Sequence, residues 1–90
     1  DIWFVEGLKD YVIIHTQNQK LITAMNLKSI HQKLPETYFQ RVSKSYVINL
    51  DYIDSFTNHT LYINDAEIPL GDVYKKDFFD KYSNGSLNID

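Results

Sequence analysis

Short runs of β-branched and aromatic residues recur along this chain, separated by polar turns. Such runs are typical of strands. They predict strands at residues 2–5, 11–16, 20–24, 38–42, 52–56, 60–63 and 67–70. The run 46–50 fits a strand or an irregular segment, since its periodicity favours neither. Residues 17–19 suit a hairpin loop, and Asn64 with Asp65 suits a tight turn because both residue types tolerate positive φ.

A central segment has helical spacing instead. Leu27, Ile30 and Leu34 recur at i, i+3 and i+7, which places them on one face of a helix. Asn26 precedes them and belongs to the residue types that cap helix N-termini. Pro35 disfavours continuation past Leu34. These features predict one short helix from Leu27 to Leu34.

The C-terminal part of the chain predicts a second helix. Tyr74, Phe78 and Tyr82 lie at i, i+4 and i+8 and would form its buried stripe. Asp72 is positioned to cap this helix, and the polar residues from Ser83 onward would end it. The predicted fold is therefore mostly β, with small antiparallel sheets, one short central helix and a C-terminal helix. Residues 1–82 would form the single domain, and residues 83–90 a polar tail.

The composition of the chain excludes several classes of protein. Ninety residues allow one domain at most. Cysteine is absent, which excludes disulfides and thiolate zinc sites and fits a cytoplasmic protein. His15, His31 and His59 share no metal-ligand spacing, and no nucleophile, base and orienting group occur together. We therefore expect no enzyme activity, no cofactor and no metal. No apolar run is long enough to span a membrane.

Charge is unevenly distributed along the chain. The net charge is −3 and the pI is about 5.5, which argues against a general nucleic-acid binder. Residues 38–50 nevertheless contain no acid, and within them two cations and two hydroxyls fall between Arg41 and Ser45. Apolar residues flank this segment on both sides. A short turn held at both ends, with donors directed outward, suits phosphate oxygens and base edges.

The same segment carries a family resemblance. Residues 41–49 resemble the LytTR signature, which reads roughly Phe-x-Arg-x-His-[Arg/Lys]-Ser-[Tyr/Phe]-[Ile/Val]-Val-Asn. This family provides the DNA-binding output domain of many bacterial response regulators. Further similar segments follow the family's order and spacing. They are residues 2–12, 27–35, 53, 68–70 and 74–76.

The resemblance implies that loops, rather than a recognition helix, hold double-stranded DNA. Three loops would meet successive grooves, and the first would enter a major groove. The implied DNA-binding residues are Lys9, Asp10, Tyr11, Arg41, Ser43, Lys44, Ser45, Asp72 and Lys75. Lys44 is the first candidate among them, as a contact to a DNA groove or to the DNA backbone.

Several of these positions have a second interpretation. Arg41 could bind phosphate or pack beside Phe39, and Tyr11 could contact DNA or belong to the core. Ser43 replaces the family's usual histidine, and its hydroxyl has a shorter reach. Asp72 replaces a basic or polar residue. It would repel phosphate unless it accepts from a cytosine amino group, and it could instead be a helix cap, with Lys75 offsetting its charge.

The resemblance also implies partners. Such domains bind direct repeats as two copies, so the chain would be a monomer alone and a dimer on DNA. A receiver or sensor domain would control it, and the family's one or two preceding strands are expected to be missing here. The alternative is a protein-interaction or sensory β-module with no nucleic-acid role, which the acidic charge favours. A positive stripe joining Lys9, Lys44 and Lys75 would favour DNA.

Overall fold

Two antiparallel sheets and two helices make up the computed structural model, which describes residues 1–87 and the side chains as far as Ser83. The larger sheet has the spatial order β3-β2-β1-β5-β4. Its strands are β1 (Ile2–Gly7), β2 (Val12–Thr16), β3 (Lys20–Thr23), β4 (Phe39–Arg41) and β5 (Tyr46–Asn49). The smaller sheet contains β6 (Ser55–Phe56), β7 (Thr60–Ile63) and β8 (Ala66–Pro69). The predicted mostly β fold is confirmed, and the undecided run after Ser45 is a strand.

The helices and two 3₁₀ turns connect these strands. Helix α1 (Leu27–Lys33) lies between β3 and β4, and helix α2 (Lys75–Leu87) ends the described part of the chain. The 3₁₀ turns are Leu50–Tyr52 and Asp72–Tyr74. The second of them leads directly into α2.

The larger sheet is buried on both faces at its centre. Successive side chains of a strand point to opposite faces, and both members of two adjacent pairs are buried: Phe4 and Val5 in β1, and Val47 and Ile48 in β5. Val5 and Val47 belong to a core under α1, together with Val12, Ile14, Leu27, Ile30 and Phe39. Phe4 and Ile48 belong to a second core, together with Val42, Leu61, Ile63, Ile68, Leu70 and Phe78. The smaller sheet and α2 supply half of the buried residues of that second core, so both layers are fixed relative to β1 and β5.

Helix α1 forms as its sequence predicts. The Asn26 side chain caps it, accepting a hydrogen bond from the Ser29 amide at 2.8 Å. Leu27 and Ile30 are buried against the sheet. Gly7 of β1 permits this close packing, because a Cβ atom there would lie 3.0 Å from the Cβ of Leu27. The helix therefore fixes the end of β1, where the first candidate DNA loop begins.

Aromatic packing holds helix α2 against the smaller sheet. Phe78 is fully buried, and its ring meets that of Phe56 edge-on with centroids 5.7 Å apart. Tyr82 packs edge-on against Phe56 at 5.1 Å, and Phe79 lies at 5.6 Å. The predicted stripe is thus confirmed at Phe78 and Tyr82. Because Lys75 starts this helix, the same packing positions it.

Two expectations about the C-terminal helix were wrong. Asp72 does not cap α2: it begins the preceding 3₁₀ turn, and its carboxylate pairs with the Lys75 ammonium at 3.0 Å instead. The helix also passes through Ser83 and continues to Leu87. Polar residues and Gly85 weaken helix propensity, but each keeps the backbone N–H that the helix requires. The polar tail predicted from Ser83 is therefore helical as far as Leu87, and residues 88–90 lie outside the described residues.

Within residues 1–87, no helix combines the length and apolar character that crossing a membrane requires. The described residues also contain no group of three or more His, Cys, Asp or Glu side chains that could hold a metal ion.

Candidate nucleic-acid interface

The three loops implied by the sequence lie side by side at one end of the molecule. Strands β1 and β5 pair antiparallel, so the end of β1 lies beside the start of β5. The Gly7 amide donates to the Ser45 carbonyl at 2.7 Å, and the Gly71 amide donates to the Val42 carbonyl at 2.7 Å. Two backbone hydrogen bonds thus join segments that are far apart in sequence. We call the surface formed by residues 8–11, 43–45 and 71–75 the contact edge.

The central turn of the contact edge is braced by its own side chains. Ser43 is buried, and its Oγ accepts a hydrogen bond from the Ser45 amide at 3.1 Å. Arg41 donates from Nε to the Ser43 carbonyl at 3.0 Å and from Nη2 to the Lys44 carbonyl at 2.6 Å. Its guanidinium carbon also lies 5.9 Å from the ring centroid of Tyr74, within cation–π range. In this structure Arg41 and Ser43 therefore act on the shape of the turn.

Lys44 and Ser45 lie at the exposed part of this turn. Among residues 1–83, no side chain or carbonyl accepts a hydrogen bond from the Lys44 ammonium, whereas the neighbouring Arg41 donates two. A lysine ammonium has three donors and no acceptor. The turn therefore presents a solvated cation on a backbone that is held at both ends.

The first loop of the contact edge is a tight turn. The Leu8 amide donates to the Tyr11 carbonyl at 2.8 Å. Lys9, Asp10 and Tyr11 are all exposed, and Tyr11 retains 39% of its accessible surface. The interpretation of Tyr11 as a core residue was therefore wrong. Tyr11 lies directly before β2, and it belongs to the same turn as Lys9 and Asp10.

The third loop carries a compact charge pair. Lys75 Nζ lies 3.0 Å from Asp72 Oδ1 and 3.1 Å from His59 Nδ1. The hydrogen bond from Lys75, reinforced by its positive charge, lowers the pKa of the Asp72 carboxyl. Asp72 therefore stays ionised, and Lys75 offsets its charge as expected. His59 was missed by sequence reasoning, because nothing in the sequence indicates that the turn before β7 lies against this loop.

The expected lysines thus share one end of the molecule, although their electrostatic states differ. Lys9 and Lys44 are exposed, whereas Lys75 is paired with an acid. The hairpin turns at 17–19 and 64–65 line a separate groove at the far ends of their strands. The contact edge is therefore the end of the molecule on which the candidate cations gather.

This chain is similar to known proteins. The family model described as the LytTr DNA-binding domain matches residues 1–83. The transcriptional regulatory protein LytR of Staphylococcus aureus (strain N315) is 32% identical over 71 residues, covering 72% of this chain and 29% of that protein. The transcriptional regulatory protein YpdB of Escherichia coli (strain K12) is 26% identical over 85 residues, covering 87% of this chain and 35% of that protein. The chain thus spans about a third of the length of these curated relatives.

A solved structure has the same fold. The LytTr DNA-binding domain of a methyl-accepting/DNA response regulator from Bacillus cereus superposes with a TM-score of 0.78. The match covers 89% of this chain and 79% of that chain, at 17% sequence identity. At this identity the likeness concerns the fold alone.

The two cations of the central turn should differ in their effect on stability. Arg41→Ala removes two hydrogen bonds from a charged donor, so we expect the free energy of unfolding to fall by about 1–3 kcal/mol. Lys44→Ala, the matched control, should change it by less than about 0.5 kcal/mol. Urea denaturation followed by circular dichroism measures both values. Equal losses in the two variants would show that Arg41 does not brace the turn.

Proposed function

The chain belongs to the LytTr DNA-binding domain family, and we propose that it binds double-stranded DNA sequence-specifically through the contact edge, as the output domain of a bacterial transcription regulator. The observation that carries this proposal is the pair of backbone hydrogen bonds from Gly7 and Gly71 to the central turn. The Gly7 bond joins the loop of the exposed Lys9 to the turn of the exposed Lys44, and the Gly71 bond joins the third loop to that turn. Cations on a preorganised surface bind phosphates without a large ordering cost.

Within this proposal, the contact edge divides its tasks. Lys44 and Lys9 contact phosphates, which sets the register of the domain on the duplex. Arg41 and Ser43 position the central turn, because their polar atoms already bond within it. Ser45 is exposed and adds a hydroxyl donor at the same turn.

Within this proposal, the first loop reads the bases. Asp10 and Tyr11 are exposed in the turn that would enter a major groove, where a carboxylate accepts from cytosine N4 and a ring contacts the thymine methyl group. In the third loop, Asp72 pairs with Lys75 and offsets the positive charge that this lysine could offer to a phosphate. Asp72 therefore acts on DNA through Lys75 rather than by direct contact.

The proposal concerns binding rather than catalysis, and it places the protein in the bacterial cytoplasm, where the DNA is. The net charge of −3 and the presence of Asp72 in the third loop favour a protein-interaction module instead. At the contact edge itself, however, the charge of Asp72 is offset by its ion pair, and Lys9 and Lys44 are exposed at the same end of the molecule.

We further propose that the full-length protein joins this domain to a receiver or sensor domain and binds direct repeats as two copies. The curated relatives are about three times as long as the matched region, which leaves room for such a domain. One acidic domain with few phosphate contacts should bind weakly by itself. Regulated dimerisation would then control occupancy of the site.

Lys44 provides the primary test. If it neutralises one phosphate, Lys44→Ala should weaken binding to every duplex by a similar factor and lower the slope of log affinity against log salt by roughly 0.9. Lys20→Ala removes an equal charge from the exposed start of β3 and is the control. Fluorescence anisotropy titrations at several salt concentrations give both quantities. Wild-type protein that binds no duplex, or indifference to Lys44→Ala, would contradict the proposal.

Removing the negative charge of Asp72 can be compared with removing that of Asp65. Asp72→Asn removes a carboxylate from the contact edge and releases Lys75 from its ion pair, so we expect tighter binding on all duplexes. Asp65→Asn changes the net charge equally in the distant turn before β8 and should have a smaller effect. A loss confined to the preferred sequence in Asp72→Asn would instead indicate that this carboxylate accepts from a cytosine.

Linking two copies tests the role of dimerisation. A tandem fusion of two domains should bind a direct repeat on the order of a hundredfold more tightly than one domain, provided that the linker spans both sites. The control duplex carries a single half-site, on which the fusion and the single domain should have similar affinities. No gain on any repeat spacing would rule out binding as two copies.

A further inference from the structure

The turn between β6 and β7 lies against the third loop of the contact edge. The Leu70 amide donates to the His59 carbonyl at 2.9 Å, directly before Gly71 joins the central turn. Thr57 stabilises this turn, since its Oγ1 accepts from the amides of His59 and Thr60 at 3.1 Å each. The backbone at His59 is therefore held by hydrogen bonds that do not involve the imidazole.

The imidazole has a defined hydrogen-bonding state. Its Nδ1 lies 3.1 Å from Lys75 Nζ. Because an ammonium can only donate, Nδ1 must be the acceptor, and the ring hydrogen of a neutral imidazole is then on Nε2. No residue in the described part of the chain accepts a hydrogen bond from Nε2, and the side chain is exposed. His59 thus holds an Nε2–H donor that is open to an external acceptor.

Phosphate is the acceptor that this environment favours. Lys75 lies directly beside the ring, and its positive charge attracts an anion to the same place. Asp72 is bonded to Lys75 rather than to His59, so a carboxylate does not occupy the imidazole donor. The hydrogen bond between Leu70 and His59 also sets this turn beside the third loop, so a duplex that reaches Lys75 would lie within reach of the imidazole.

We propose that residues 57–59 form a fourth DNA-contacting loop, in which the Nε2–H group of His59 donates to a phosphodiester oxygen of the bound duplex. This proposal rests on the proposed function and extends the contact edge beyond Lys75. His59 supplies a hydrogen bond without a charge. Because the acceptor is a phosphodiester oxygen, this bond adds affinity independently of base sequence. Because the donor carries no charge, it leaves the salt dependence of binding unchanged.

Two substitutions test the roles of the two His59 ring nitrogens separately. His59→Asn places an amide near the position of Nδ1, where it can still accept from Lys75, but it is too short to replace Nε2. His59→Gln extends an amide donor toward the position of Nε2. Both changes fall on an exposed side chain, and the backbone bonds of the turn remain available.

The test measures affinity for the preferred duplex and for an unrelated duplex, with circular dichroism to verify folding. We expect His59→Asn to weaken binding roughly three- to tenfold on both duplexes, as for loss of one hydrogen bond. His59→Gln should remain within about twofold of wild type, because its donor replaces the lost one. The salt slope should be unchanged in both variants, in contrast to Lys44→Ala.

Specific results would overturn this inference. Wild-type affinity in His59→Asn would show that Nε2 makes no contact, and an equal loss in both variants would show that the donor is not what matters. A loss restricted to the preferred duplex would assign His59 to a base instead of phosphate. If wild type binds and depends on Lys44, these results refute the fourth loop alone, whereas absence of wild-type binding refutes the proposed function as well.

Discussion

The contact edge depends on the way in which the central turn is held from both sides. The Gly7 and Gly71 amides donate to the carbonyls of Ser45 and Val42, each at 2.7 Å. Peptide groups make these bonds, so they constrain the loops whatever side chains the loops carry. The replacement of a histidine by Ser43 is compatible with this arrangement, since its hydroxyl adds a further bond inside the turn. Loops held in this way lose little conformational freedom on binding.

Electrostatics explains how an acidic domain fits a DNA-binding family. Arg41 is bonded to the central turn and Lys75 is paired with Asp72, while Lys9 and Lys44 are exposed. Few free cations and a net charge of −3 imply weak non-specific affinity. Placement of individual donors then contributes more to selection of a site than overall charge does.

Local signals in the sequence were sufficient for most elements. Most strand runs rich in β-branched and aromatic residues, the Asn26 cap and the aromatic spacing around Phe78 appear where expected. The run 52–56 is a strand only at Ser55–Phe56, because Tyr52 ends a 3₁₀ turn. Asn64 adopts the positive φ of 53° that its turn suggested. The errors occurred where a neighbour in space changed a local preference. Lys75 engages the Asp72 carboxylate that would have capped α2, and that helix continues through the polar residues after Tyr82.

The sequence by itself determined the fold class, the family resemblance and the segments that could contact DNA. Periodicity and motif spacing are local properties, so they can be recognised from the sequence alone. Only the tertiary structure decided which residues of those segments are available. Arg41 and Lys44 are equivalent in the sequence as cations of one turn, but only Arg41 reaches two carbonyls. His59 joined the contact edge because pairing within the smaller sheet brings it to Lys75, a contact between residues that share no local pattern.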